Sequence, residues 1–148
     1  MSINIFESFK YCLWIKPENN HEWQDYCIGF CPHMSIKTNI NFEDLNKYNY
    51  ILSDKCNLNV NLVGELYQTK LNNFYALQYN IELDTDRDQT PLWWPENPHI
   101  SFRYKYNSPF SKKDIKDLEN IIKIRSACLN NICFQNCNGH FNKWEIVA

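Results

Sequence analysis

The sequence contains no uninterrupted apolar run of about 18 residues, the length a membrane-spanning helix requires. Its first residues, Met1-Ser2-Ile3-Asn4-Ile5-Phe6-Glu7, lack both the basic region and the hydrophobic stretch of a secretion signal, so a soluble, cytoplasmic protein is expected. A basic excess is missing too. Lys and Arg number 15 against 17 Asp and Glu, for a formal net charge of -2, which excludes a protein that coats nucleic acid through its phosphates. Any nucleic-acid contact must therefore be local. No Asn-x-Ser/Thr acceptor occurs, although Asn is abundant at 21 residues. That abundance, with many Ile, Lys, Tyr and Phe, matches A/T-rich codons and points to an AT-rich genome such as that of a large DNA virus or a protist. With a viral source the cytoplasm would be the host's. At 148 residues the chain suits one domain, 1–148, able to bury most of the surface it exposes when unfolded.

The cysteines lack the two-residue gap common in zinc sites. Cys27-x3-Cys31-x-His33 and Cys133-x3-Cys137-x2-His140 nevertheless offer six possible ligands, and a zinc-stabilised interaction protein is one reading. The odd total of seven, completed by Cys12, Cys56 and Cys128, fits reduced and mostly buried thiols better. His21 and His140 read as loop histidines. Asp84, Asp86 and Asp88 alternate as in a calcium loop, but the glycine and the closing glutamate of such a loop are absent. A solvated loop is expected there, and no bound metal or cofactor.

What the chain does have is one phrase written twice. Pro32-His33-Met34-Ser35-Ile36-Lys37 and Pro98-His99-Ile100-Ser101-Phe102-Arg103 each run Pro, His, apolar, Ser, apolar, base. In a chain with 4 His and 6 Pro, chance recurrence of such a template is on the order of one in ten thousand. Alternation of apolar and polar residues makes each phrase a strand, with His33, Ser35 and Lys37 on one face and His99, Ser101 and Arg103 on the matching face. A single copy would be an ordinary solvated edge. Two copies suggest one shared site. Two imidazoles across a cleft can serve as general base and general acid near neutral pH. Ser35 and Ser101 can donate to the oxygens of one phosphate, and Lys37 and Arg103 can add positive charge beside it.

These paired motifs resemble the two His-x-Ser/Thr signatures of the 2H phosphoesterase superfamily. The resemblance spans most of the chain, since a helix-like stretch follows each motif, at 42–48 and at 109–122. Both hydroxyl positions are Ser, which keeps the donor but frees its rotamer. It implies metal-independent attack on a nucleotide or RNA-end phosphodiester, whether a 2',3'-cyclic phosphate, a 2',5' linkage or a cyclic nucleotide or dinucleotide, with His33, His99, Ser35 and Ser101 catalytic. A non-catalytic module that binds nucleotides or RNA ends on the same scaffold is the alternative, and a monomer is expected.

Along the chain, residues 11–16 read as a strand stopped by Pro17, followed by a turn at 18–21. The first motif strand covers 33–40, with a helix near 42–52. Residues 58–70 and 73–83 form a hairpin, and the second motif strand is followed by a helix near 110–124. Residues 132–135 and 143–147 could close the sheet. The fold class expected is α+β: a bilobal, pseudo-twofold, 2H phosphoesterase-like fold with two antiparallel sheets facing a central cleft and helices outside. Trp93-Trp94, stiffened by Pro91 and Pro95, offers a platform for stacking a base, whereas Trp14 and Trp144 read as plugs between the sheets.

Overall fold

The computed structural model describes residues 9–18, 23, 26–27, 29–71, 74–84 and 90–147. The expected loop histidine His21 and the acidic positions Asp86 and Asp88 lie outside them. The described strands are β1 (Tyr11–Pro17), β2 (Met34–Ile40), β3 (Leu58–Leu71), β4 (Phe74–Leu83), β5 (His99–Tyr106), β6 (Ser126–Asn136) and β7 (Glu145–Ile146). Alternating apolar and polar residues in β2 and β5, and the long β-rich runs of β3 and β4, account for their extended state. Among the described residues helix is found at three places, one of them only a 3-10 turn at Phe141–Lys143. Phe42–Tyr48 winds as a 3-10 helix that runs into the short α-helix Asn49–Leu52. Its single ion pair, Lys47 to Asp44 at 2.9 Å, joins residues three apart, the spacing that 3-10 winding stacks on one line. Helix Lys112–Ile121 starts at Ser111, whose hydroxyl accepts from the Asp114 N–H at 3.1 Å. Among the described residues no helix is long and apolar enough to cross a membrane.

All strand pairings are antiparallel, in the order β1-β2-β5-β4-β3-β6-β7, and β6 also pairs with β1. Six strands therefore close on themselves. Where two separate sheets are expected from the sequence, there is one sheet, because β6 is long enough to hold β3 with its first residues and β1 with the remainder. The pairing pattern has a symmetry of its own: exchanging β1, β2 and β3 for β4, β5 and β6 leaves every contact of the closed ring unchanged. The ring is tight at most seams and narrow at one. β2 and β5, the two motif strands, share the single pair Met34–Ile100.

One face of these strands carries the largest apolar cluster, including Ile15, Met34, Tyr79, Ile100, Phe102 and Leu118. A smaller cluster, Leu13, Ile40, Ile51 and Phe134, lies under the Phe42–Leu52 helical segment. Burial at Met34 and Ile100 is complete, so the seam between the motif strands depends on packing more than on hydrogen bonds. Ile100→Ala is expected to cost about 2–5 kcal/mol in urea unfolding through the cavity it leaves. Ile121→Ala, at an exposed helical position, should stay within ~0.5 kcal/mol of wild type. Equal effects of the two would show that the seam is not held this way.

Candidate functional site

Both His-x-Ser phrases open onto one pocket of about 220 Å³, lined by His33, Ser35, His99 and Ser101 and walled by Trp14, Phe74, Tyr104 and Trp144. Among the described residues no Asp or Glu lines it. The two histidines are held by the same local device. The Nδ1–H of His33 donates to the Cys31 carbonyl at 2.7 Å, and that of His99 donates to the Asn97 carbonyl at 2.9 Å. The proline between each carbonyl and its histidine keeps the preceding residue extended and sets the angle from which the carbonyl reaches the ring. With Nδ1 fixed as donor, Nε2 is the nitrogen left for chemistry.

Their surroundings differ. His33 is buried and stacks on Trp14 with ring centroids 3.3 Å apart and planes 6° apart. Burial pulls its pKa down to about 3 against the opposing pull of the Cys31 hydrogen bond, and the charges of His99 and Lys16 lower it further. His99 is half-buried. Its cross-strand neighbour Asn80 accepts from the Tyr67 hydroxyl at 2.6 Å. Gln78, opposite Ser101, donates to Tyr67 at 2.7 Å and accepts from Thr69 at 3.2 Å. The Ser101 hydroxyl meets the phenol of Tyr104, which burial pushes above its ordinary value and so keeps neutral.

Lys37 and Arg103 do not share the histidine face. In β2, Trp14 pairs with Ser35 but Leu13 pairs with Lys37, leaving Ile36 as an extra residue. In β5, Gln78 pairs with Ser101 but Leu77 pairs with Arg103, leaving Phe102 as the extra residue. Ile36 and Phe102 occupy the same place in the two phrases. Each is a one-residue bulge, and each reverses the alternation beyond it. Thr38 and Tyr104 reach the pocket instead. Arg103 turns to a groove beside the Lys112–Ile121 helix with Phe110 and Asp114, and Lys37 is exposed.

The tryptophan pair is also outside the pocket. Trp93 packs on the core with its indole N–H donating to Asp54 Oδ2 at 2.8 Å. Trp94 lines a neighbouring groove together with Asn80, Asn97 and Pro98. Trp14, expected to plug the core, is the ring under His33, and Trp144 is half-buried in the pocket wall. Thr38, Thr69, Gln78 and Tyr104 were not candidates from the sequence. Gln78 alone carried a signal there, as a polar residue in the middle of an apolar strand.

The cysteines are divided among separate places. Cys27 belongs to the large apolar cluster, its Sγ donating to the Ser101 carbonyl at 3.8 Å, while Cys12, Cys133 and Cys137 cluster beside Trp14. His140 packs on Phe141. All seven thiols are free, and among the described residues no group of three His, Cys, Asp or Glu could hold a metal ion.

The depressed His33 carries a consequence for stability. A fall from 6.5 to about 3 disfavours its charged form by roughly 5 kcal/mol. In that interval the unfolded chain binds a proton that the folded one refuses, so the contribution is complete above about pH 6.5 and is lost as pH falls. Urea unfolding from pH 7 to 4 should show a wild-type slope steeper than that of His33→Gln by up to about 1.4 kcal/mol per pH unit. Parallel slopes would mean that His33 is as free to protonate as in water.

No protein-family model, no curated protein and no solved structure matches this chain, so the reading of the site rests on its own geometry.

Proposed function

We propose that this chain is a 2H-type phosphodiesterase that hydrolyses a nucleotide or RNA-end phosphodiester by two-histidine acid–base catalysis. The observation that carries the reading is the convergence of both Pro-His-x-Ser phrases on one pocket that no Asp or Glu lines among the described residues, each imidazole anchored through Nδ1. A pocket without carboxylates suits an anion. His33, held unprotonated, takes a proton from the attacking water as the new P–O bond forms. His99 gives its proton to the leaving oxygen as the old P–O bond breaks. Ser35 and Ser101 donate hydrogen bonds to the non-bridging oxygens where charge builds up. When the phosphate is bound, its negative charge raises His33 back toward the working range.

The single pairing between β2 and β5 supports a two-lobed reading, with β1, β2 and β6 on one side and β3, β4 and β5 on the other. In that arrangement, which is that of a 2H phosphoesterase-like fold, the cleft would lie at the seam. The reaction uses protonation states alone and should continue in excess chelator. 2',3'-cyclic phosphates, 2',5' linkages and cyclic mono- and dinucleotides all present the required group.

The test is a panel of these phosphodiesters incubated with the purified protein, with and without EDTA, and read by chromatography. Turnover of at least one is expected in both conditions, and rate loss on chelation with recovery in Zn²⁺ or Mg²⁺ would replace the mechanism by a metal-activated water. His33→Ala and His99→Ala should each lower kcat by about 10² to 10⁴. The double variant should fall far short of the product of the two effects, because the pair acts as a unit. Ser35→Ala and Ser101→Ala should cost about 10² to 10³ in kcat. Tight binding of a panel member with no turnover would make the chain a nucleotide-binding module instead.

A further inference from the structure

The symmetry of the ring breaks in the residues beside the histidines, where Trp14 answers Gln78 and Lys16 answers Asn80. On one side the register runs Gln78–Ser101, Tyr79–Ile100, Asn80–His99. On the other it runs Trp14–Ser35, Ile15–Met34, and one further step along the same register brings Lys16 opposite His33. Lys16 is thus the counterpart of Asn80. It shares its face of β1 with Trp14 and Cys12, and it is 2% exposed. Its ammonium is close enough to His33 for its charge to bear on the ring.

A buried ammonium usually has a carboxylate beside it. Among the described residues none forms an ion pair with Lys16. Among the described residues the titratable groups around His33 are Lys16 and Cys12 from β1, Cys31 from the segment before β2, His99 and Tyr104 from β5, and Cys133 and Cys137 from β6. None is an acid that would carry negative charge near neutral pH. Cys133, which feels the Lys16 charge, is raised by burial and stays a neutral thiol. A second positive charge on His33 would therefore sit beside the first with nothing between them to offset it.

Burial and the Trp14 stack already set the two histidines apart, and acid–base catalysis demands that they hold opposite protonation states. We infer that Lys16 is a positioning residue that adds to burial in keeping His33 the free base and leaving the proton to His99. The inference rests on the two-histidine reading of the pocket and adds the assignment of roles within it. Trp14 and burial act in the same direction, but Asn80 in the place of Lys16 leaves the His99 side with no buried cation.

The test uses the full chain with Lys16→Met, Lys16→Asn and Lys16→Arg. In each, the imidazole of His33 is titrated by NMR, and the pH dependence of kcat/KM is measured on whichever panel phosphodiester the wild type turns over. Lys16→Met and Lys16→Asn should raise the His33 pKa and shift the acid limb of kcat/KM upward with it. Lys16→Arg, which keeps the charge, should leave both where they were. If His33 titrates unchanged in the neutral variants while KM rises, Lys16 binds the phosphate directly and the inference is wrong. Should the wild type turn over no member of the panel, the phosphodiesterase reading fails, whereas the His33 titration still decides the effect of Lys16.

Discussion

One extra residue in each motif strand determines what the pocket contains. Up to Ser35 and Ser101 the alternation of the phrases holds, and the histidine and serine of each face inward together. At Ile36 and Phe102 the strand bulges, and beyond that point inside and outside exchange. Without the bulges, Lys37 and Arg103 would enter a cavity of about 220 Å³ that already holds two imidazoles and a ring of aromatics. With them, Thr38 and Tyr104 enter, the long cations go to the far face, and the apolar residues Ile36 and Phe102 are kept with the core. Lys37 and Arg103 are thereby kept out of the wall around the histidines. The bulges also bend the strands at the point where β2 and β5 separate, after their single shared pair.

Burying so many polar groups at one place has a cost that the surrounding structure offsets group by group. The amide of Gln78 is satisfied on both sides by Tyr67 and Thr69, and Asn80 is tied to the same tyrosine. Each imidazole has its Nδ1 bonded to a carbonyl two residues earlier. A satisfied network of this kind stiffens its members, whereas an unsatisfied one would cost about 1–3 kcal/mol per orphaned group. The histidines thus start each encounter in place, with Nε2 the nitrogen left unanchored. Among the described residues no acid pairs with Lys16, and burial, with the Lys16 charge adding to it, holds His33 in its neutral form.

How much of this could be read from the sequence follows from the range over which each signal acts. The strands β1, β2 and β5, the hairpin of β3 and β4 and the helical stretches at 42–52 and 112–121 are written in local alternation and in capping residues such as Ser111 and fall within a few residues of where the pattern places them, whereas β6 begins at Ser126, six residues before the strand expected at 132–135. The convergence of His33, Ser35, His99 and Ser101 was legible because the phrase is repeated, and duplication carries information about a distant partner that one copy lacks. Bulges leave no such mark. Ile36 and Phe102 look like any apolar residue of an alternating strand, so Lys37 and Arg103 were expected on the wrong face. The closure of β6 onto β1 and the stacking of Trp14 on His33 depend on contacts between segments far apart in the chain, and composition does not encode them. The cysteines, whose odd number and spacing favour reduced and mostly buried thiols over a metal cluster, are divided between separate apolar clusters, a separation that their spacing does not encode.

A ring built from two equivalent halves presents its site with a problem that a less regular fold would not have. The exchange of β1, β2 and β3 with β4, β5 and β6 maps His33 onto His99 and Ser35 onto Ser101. On the proposed two-histidine reading, hydrolysis has a direction, because one oxygen arrives and another leaves, and the site must distinguish the two sides. The residues that escape the symmetry are then the ones that would assign direction. Trp14 stands where the other half has Gln78, and Lys16 where it has Asn80. On the two-histidine reading, the incoming water belongs at the buried, aromatic side with His33. The leaving group belongs at the more open side with His99, where Asn80, Gln78, Tyr67 and Thr69 supply the donors and acceptors that a ribose or base edge can use. The groove of Trp94, bordered by Asn80, Asn97 and Pro98, continues from that same side. Any selectivity for what lies beyond the phosphate would then arise there, in the half of the ring whose strands carry amides and hydroxyls where the other half carries an indole and a lysine.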